Sequence, residues 1–160
     1  MTVQENLGKD IAIELLDARL LPVYQVADQT KRTLVGGRGL RVADFVTTEG
    51  RENLGQAMIL RLLTPQGELA PLGHPEYGAR LYEIVGAPNT ETFRNLAKLH
   101  CLAALKQERR IEKVETVEVT KHPVLRDLIQ IAISVLPVGA EVPMAISFTL
   151  ELDTGAGGTT

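Results

Sequence analysis

The sequence predicts an α+β domain with strands first, helices in the middle and an antiparallel sheet last. Three observations predict it. Apolar residues recur at helical spacing through the middle of the chain, the period switches from 3.6 to 2 after Arg110, and Pro- or Gly-bearing turns separate the segments. The expected arrangement is a three-helix segment packed on a small antiparallel C-terminal sheet, with an N-terminal strand or hairpin extension. One domain spans residues 1–160. It divides into an N-terminal arm with an extended insertion (1–49), a helical half (50–110), a β-meander (111–153) and a flexible tail (154–160).

The first nine residues are polar and read as a mobile arm. Ile11 to Leu16 reads as a short strand, and Leu20 to Ala27 as a second, weakened at its start by Pro22, which cannot donate to a ladder. Asp28 to Arg32 reads as a polar turn and Gly36-Gly37-Arg38-Gly39 as a flexible loop, before strand-like residues return at Leu40 to Val46. Together Asp17 to Asp44 reads as a hairpin or extended excursion.

The helical half carries stronger signals. Leu54, Met58 and Leu62 form one stripe from Glu52 to Leu63, widened by Ala57 and Ile59. Pro65 stops this helix by pushing its predecessor out of the α region. Gln66-Gly67 lets the chain reverse, and Pro75 suits the first turn of a second helix with Leu81, Ile84 and Val85 inside and Gly86 as its C-cap. A third helix opens at Asn89 or Thr90. Its stripe is Phe93, Leu96, Ala97, Cys101, Ala104 and Leu105, while Leu99 and Leu102 lie off it and suggest a second covered side.

Beyond Arg110, Ile111 to Thr120 alternates imperfectly. Leu128 to Leu136 is cleaner, with Ile129, Ile131, Ile133 and Val135 on one face. Met144 to Leu152 repeats the pattern with Met144, Ile146, Phe148, Leu150 and Leu152. Short connections make an antiparallel meander the natural reading.

Composition narrows the function. With 44% hydrophobic and 23% charged residues the chain is globular in character, and a net charge of −3 supplies no global basic field for nucleic acid or anionic lipid. Aromatics reach only 4% without any Trp, so base-stacking platforms are hard to build. No apolar run approaches the ~20 residues of a membrane span. The N-terminus lacks a basic region followed by an apolar one, so a soluble, cytoplasmic protein is expected. Cys101 is the single cysteine, which excludes an internal disulfide.

Chemistry-bearing motifs are sparse. His74, His100 and His122 have no metal-binding spacing and read as surface or boundary residues, and Cys101 on the apolar stripe reads as a small core residue. Gly36-Gly37-Arg38-Gly39 lacks the Gly-Lys-Ser/Thr ending of a phosphate loop. Ser134 and Ser147, both in strands, sit in no nucleophile elbow. Glu68, Glu76 and Glu83 could in principle form a glycosidase-like acid pair, but Glu76 with Arg80 at i+4 reads better as a solvated helix face. No catalytic residue, metal ligand or cofactor is therefore expected. The charged run Gln107-Glu108-Arg109-Arg110 closes the third helix, where arginines complement the helix dipole and where Glu108 and Arg110 could offer an acceptor and a forked donor to a partner.

The run ENLGQAMILRLLTPQGEL, then HPEYGARLYEIVG, then ALKQERRIEKV and a closing ISFTLELD resembles the GpW/gene-25-like baseplate wedge family of contractile phage tails, type VI secretion baseplates and extracellular contractile injection systems. The resemblance spans Gly50 to Asp153, and its most specific parts are Leu-Leu-Thr-Pro-x-Gly-Glu and Tyr-Gly-x-Arg-Leu. It implies a structural part rather than a reaction: a sheath initiator that binds other wedge proteins, with spike, hub or tube proteins nearby, in multiple copies around a six-fold baseplate. The family's Glu-Pro-Arg motif contacts the wedge core bundle. Glu108 and Arg110 match its ends and Arg109 replaces the proline. The terminal strand, with Ser147, Phe148, Thr149, Leu150 and Glu151, would receive the first sheath protein by strand exchange. No nucleic acid, cofactor or membrane insertion is implied. Some members carry a tail-lysozyme label, so a glycosidase and a regulatory adaptor on the same fold are the alternatives.

Overall fold

A computed structural model describes residues 7–15, 24–35 and 38–152. The expectations for residues 1–6, for Leu16 at the end of the first N-terminal strand candidate, for residues 20–23 at the start of the second, for Gly36-Gly37 and for residues 153–160 lie outside the described residues.

Among the described residues the N-terminal part is a set of three two-stranded antiparallel ribbons. β1 (Lys9–Ile11) pairs with β6 (Thr47–Glu49), β2 (Ile13–Leu15) with β3 (Tyr24–Val26), and β4 (Asp28–Val35) with β5 (Arg38–Phe45). The ribbons meet at a ring of backbone hydrogen bonds. Ala12 N donates to Val46 O at 2.7 Å, Val46 N to Ala27 O at 2.9 Å, and Ala27 N to Ala12 O at 2.9 Å. The hairpin expected within Asp17–Asp44 is present as β4–β5. Three details differ from the sequence reading: the strand expected from Ile11 is broken at Ala12 between β1 and β2, Asp28 to Arg32 is strand and not a turn, and Arg38 and Gly39 open β5 instead of belonging to a loop. Polar β-formers such as Thr30 and Thr33 suit a ribbon as well as a turn, and the cross-strand partner decides between them.

The arm is held at its C-terminal end. Leu7 is fully buried in the core, and Asn53 Nδ2 donates to its carbonyl at 3.0 Å. Gln56 on the first helix imitates a strand partner by donating to Ile11 O and accepting from Ile13 N.

Two α-helices follow, where three were expected. α1 (Gly50–Leu63) buries Leu54, Met58 and Leu62 and ends at Thr64, one residue before Pro65. α2 (Glu91–Leu105) is capped by Thr90, whose hydroxyl accepts from Phe93 N at 3.4 Å, and buries Ala97, Cys101, Ala104 and Leu105. Leu99, off that stripe, is 61% exposed. The helix expected from Pro75 to Val85 does not form: a single 3₁₀ turn, Leu81–Ile84, stands within that stretch, and another, Ala70–Leu72, precedes it. Gly78, at positive φ, interrupts the expected stretch, as Gly67 and Gly73 do the chain before it, so only the Leu81/Ile84 apolar pair remains of the helical pattern.

The two family-like motifs lock to each other here. Pro65 and Ala79 form a parallel bridge, with Gln66 N donating to Ala79 O at 3.0 Å and Ala79 N to Thr64 O at 2.9 Å. Gly78, at φ 106°, fits because it has no Cβ. A Cβ there would lie 2.5 Å from Thr64 O and 2.8 Å from Pro65 O.

The C-terminal sheet is β7 (Ile111–Lys121), β8 (Leu128–Pro137) and β9 (Met144–Glu151), antiparallel in the order β7-β8-β9. The imperfect alternation of β7 has a physical cause. Register shifts at Ile111/Lys113 and Val114/Thr116 each insert one residue, so the covered positions are Ile111, Val114, Val117 and Val119. Ile129, Ile131, Ile133 and Val135 of β8 join Leu150 and Leu152 in one core with α1, α2 and the 3₁₀ turn at Leu81. A mixed α+β architecture is the result. No helix among the described residues is long and apolar enough to cross a membrane.

Candidate functional site

Two regions carry the residues singled out from the sequence. The first is the charged junction between α2 and β7. After Leu105 the chain turns tightly, Glu108 N donating to Leu105 O and Ile111 N to Glu108 O, and this folds Arg110 back onto Glu108. Arg110 Nε reaches Glu108 Oε1 at 2.8 Å and Nη2 reaches Oε2 at 3.1 Å, a two-pronged contact, while Arg110 N adds a third bond to Oε1 at 3.3 Å. Arg61 of α1 approaches Oε2 at 3.4 Å from the other side.

This carboxylate is 8% exposed. Burial pushes its pKa up, but the hydrogen bonds and charge of Arg110, joined by Arg61, outweigh that and hold the carboxyl below its usual range. Glu108 in turn raises the Arg110 guanidinium. The remaining donor of Arg110, Nη1, bonds Leu7 O at 3.2 Å, and the Arg61 guanidinium stacks 4.4 Å over the Tyr77 ring. Burial raises the Tyr77 hydroxyl, with Glu108 adding to the effect and Arg61 opposing it. The cluster thus ties the arm, α1, the Tyr-Gly motif and the helix-to-sheet junction into one knot.

Sequence reading anticipated Glu108 and Arg110 as an acceptor and a fork aimed outward. In the folded chain the fork grips the acceptor itself, and what faces solvent is Arg109, with part of Arg110. Arg61, Tyr77 and the Leu7 carbonyl were missed as members. The only local hint was Arg61's place in the last turn of a helix whose apolar stripe runs elsewhere.

The second region is β9. It pairs with β8 from Val135↔Met144 to Leu128↔Glu151, and no further strand lies on its other side among the described residues. Ser147, Phe148, Thr149, Leu150 and Glu151 all lie within this ladder; Ser147 is exposed, Phe148 half-buried and Leu150 fully buried. Arg51 fixes the turn into β9 by donating to Val142 O at 2.5 Å and Pro143 O at 3.3 Å. Beside the end of the strand lies an apolar groove of about 330 Å³, lined by Leu62, Pro65, Leu81, Tyr82, Val85 and Leu150.

The other chemical candidates separate in space or in partner. Glu83 pairs with Arg80 at 2.7 Å, whereas Glu76 meets Gln66 at 3.5 Å; the expected Glu76–Arg80 helix pair does not form because the helix does not. His100 is buried and not a surface residue, with Nε2 3.4 Å from Glu83 Oε2. Burial lowers its pKa, Glu83 opposing and Arg80 assisting. His122 accepts at Nδ1 from Val124 N and Leu125 N and so shapes the β7–β8 turn. Cys101 is fully buried, its thiol pushed up to about 12 by burial. No group of His, Cys, Asp and Glu among the described residues has a metal-holding arrangement.

No protein-family model matches the sequence, and comparison with curated proteins finds no match. Among solved structures, the chain is similar to a candidate tail lysozyme from Geobacter sulfurreducens, with TM-score 0.56 and 18% identity over 66% of this chain and 93% of that one. That likeness establishes the fold. Nearly the whole of the smaller protein is found within this chain, which carries about a third of its length in addition.

Proposed function

We propose that this protein is a structural component of a phage tail or tail-like contractile injection machine. It binds neighbouring wedge proteins and offers its terminal strand as the template on which the first sheath subunits add theirs. The single observation that carries this reading is the place of β9 at the end of the β7-β8-β9 ladder, with no further strand beside it among the described residues and an apolar groove at its end. A strand at the end of a sheet is an aggregation hazard in a free monomer and a ready template in an assembly. Main-chain bonding along β9 supplies affinity. The groove at Tyr82, Val85 and Leu150 supplies a receptor for one apolar side chain of the incoming strand, which fixes its register.

Support of a different kind comes from the similar fold of a protein described as a candidate tail lysozyme, which belongs to the setting that the Gly50–Asp153 resemblance implies. In this reading the chain has no catalytic centre. Wedge contact falls to the solvent-facing Arg109 and the accessible part of Arg110, with Glu108 holding that turn in shape.

Consecutive amides on an antiparallel strand point to opposite sides. Of Ile146→Pro and Ser147→Pro, one therefore removes a bond to β8 and the other removes a donor on the flank away from β8. The expected result is that one variant melts like the parent yet supports no tubular sheath when co-produced with the sheath subunit of its particle. Normal sheath assembly by both folded variants would overturn the proposal. A muramidase assay separates the enzyme reading: cell-wall hydrolysis by the purified chain that vanishes in Glu68→Gln or Glu76→Gln would replace a structural role with a catalytic one.

A further inference from the structure

At the end of β7 remote from Glu108, the β7–β8 turn and the segment that leads into α2 enclose a cleft of about 720 Å³. Hydrogen bonds fix its walls. Leu152 N donates to Asp127 O at 2.8 Å, Gly86 N donates to Leu152 O, and Asn89 Nδ2 donates to Arg126 O at 2.8 Å and Leu128 O at 3.3 Å. The turn itself is held by His122, whose Nδ1 accepts from Val124 N at 3.3 Å and from Leu125 N at 3.1 Å. A nitrogen that accepts carries no proton, so the neutral ring keeps its proton on Nε2 as a donor.

Folding leaves two features of this end unused. Lys121 and Arg126 line the cleft and are exposed, and among the described residues neither forms an ion pair or a side-chain hydrogen bond. Beside them the turn presents Val124 at 78% exposure and Leu125 at 48%. Unpaired cations attract carboxylates, and bare aliphatic side chains on a turn of fixed shape attract apolar surface. The volume suits a ligand of several groups and not a single ion. No aromatic residue lines the cleft to stack a base, and two cations fall short of the cluster of about four to eight that holds a polybasic surface on anionic lipid. Asp127 is the one acid in the lining. It repels a compact dianion such as phosphate, yet it can accept from the amide N–H that flanks a side-chain carboxylate in a peptide.

We propose that this cleft is a docking site for an acidic segment of a neighbouring protein. Lys121 and Arg126 take its carboxylates, and an aliphatic residue next to those carboxylates packs on Val124 and Leu125. His122 is a positioning residue that sets the turn. This inference stands on the cleft and its turn, and it does not require the β9 reading.

The test uses the full chain and four probes: a fluorescent peptide with a Leu-Asp-Glu-Leu centre, the same peptide with Asn and Gln for its acids, inorganic phosphate, and vesicles containing phosphatidylglycerol. The expected result is binding of the acidic peptide that weakens between about 50 and 200 mM salt and falls about tenfold in Lys121→Gln/Arg126→Gln. Val124→Ser/Leu125→Ser should lower it about fivefold. Amide chemical shifts should move at residues 86–89, 121–127 and 152 and little elsewhere. Both cations are exposed and unpaired, so an unchanged melting temperature confirms that their double variant is folded. Lys98→Gln/Lys106→Gln, which removes equal charge outside the cleft, should lose less. Absence of binding by the acidic peptide, equal binding by parent and Lys121/Arg126 variant, equal binding of the amide peptide, or tighter binding of phosphate or vesicles would each overturn the proposal.

Discussion

Replacing Glu108 by Gln keeps the shape of the side chain and removes its charge. In the parent, one nearly buried carboxylate accepts three bonds from Arg110 and one from Arg61. The variant leaves two guanidinium groups facing each other across a neutral amide that can accept but offers no counter-charge. Breaking a buried ion pair by removing one partner costs about 3–5 kcal/mol. Two features lower the figure: the Arg110 side chain is 27% exposed and can turn to water, and the amide oxygen still takes one bond. A loss of about 2–3 kcal/mol is expected, against less than about 0.5 kcal/mol for Arg109→Ala next door, which is exposed. Urea unfolding at neutral pH reads both. Because the fold lowers the Glu108 pKa, its contribution is complete above the unfolded value of about 4.3 and fades as pH falls through the folded one, so the gap between parent and variant should close in acid. A Glu108→Gln loss no larger than that of Arg109→Ala, or a gap that persists in acid, would refute the placement of this carboxylate as the hub of the knot.

Gly78→Ala should cost more than about 3 kcal/mol, because its Cβ meets the Thr64 and Pro65 carbonyls, whereas Gly67→Ala, at positive φ but with nothing within 4 Å, should cost about 1 kcal/mol; thermal melts compare them. His100 has a lowered pKa in the fold, so its neutral form stabilises the protein above the unfolded value of about 6.5, and stability drops as pH falls below it; His100→Gln should flatten that slope in melts across this range. The Cys101 thiol, fully buried and pushed up to about 12, should resist iodoacetamide in the native protein at pH near 8 and react at the rate of unfolding, as measured by mass spectrometry.

The sequence made the periodic elements legible. α1, α2 and the three C-terminal strands lie within a few residues of where their 3.6 and 2 periods put them, since burial of one face is a local pattern. What was illegible depended on contacts distant in sequence. The Pro75–Val85 segment has an apolar spacing that suits a helix, yet its backbone is committed to the bridge with Thr64–Gln66 and to a positive φ at Gly78 that no helix allows. Leu7 sits in a polar stretch that reads as an arm, and its burial follows from Asn53 and Arg110, 46 and 103 residues away. The same holds for the charged junction. Glu108 and Arg110 were visible as a motif, but that they satisfy each other depends on Arg61 and the turn after Leu105, which no local pattern encodes.

The ring formed by Ala12, Ala27 and Val46 has a consequence for how this protein can change. Chain enters and leaves each of the two outer ribbons at residues bonded to each other, Ala12 with Ala27 and Ala27 with Val46, so each ribbon departs and returns at one hydrogen bond. Lengthening, trimming or exchanging such a loop alters the closure entropy by well under about 1 kcal/mol per doubling and moves no helix. The same scaffold can therefore be refitted for a different neighbour, by natural drift or by grafting a foreign hairpin at that ring.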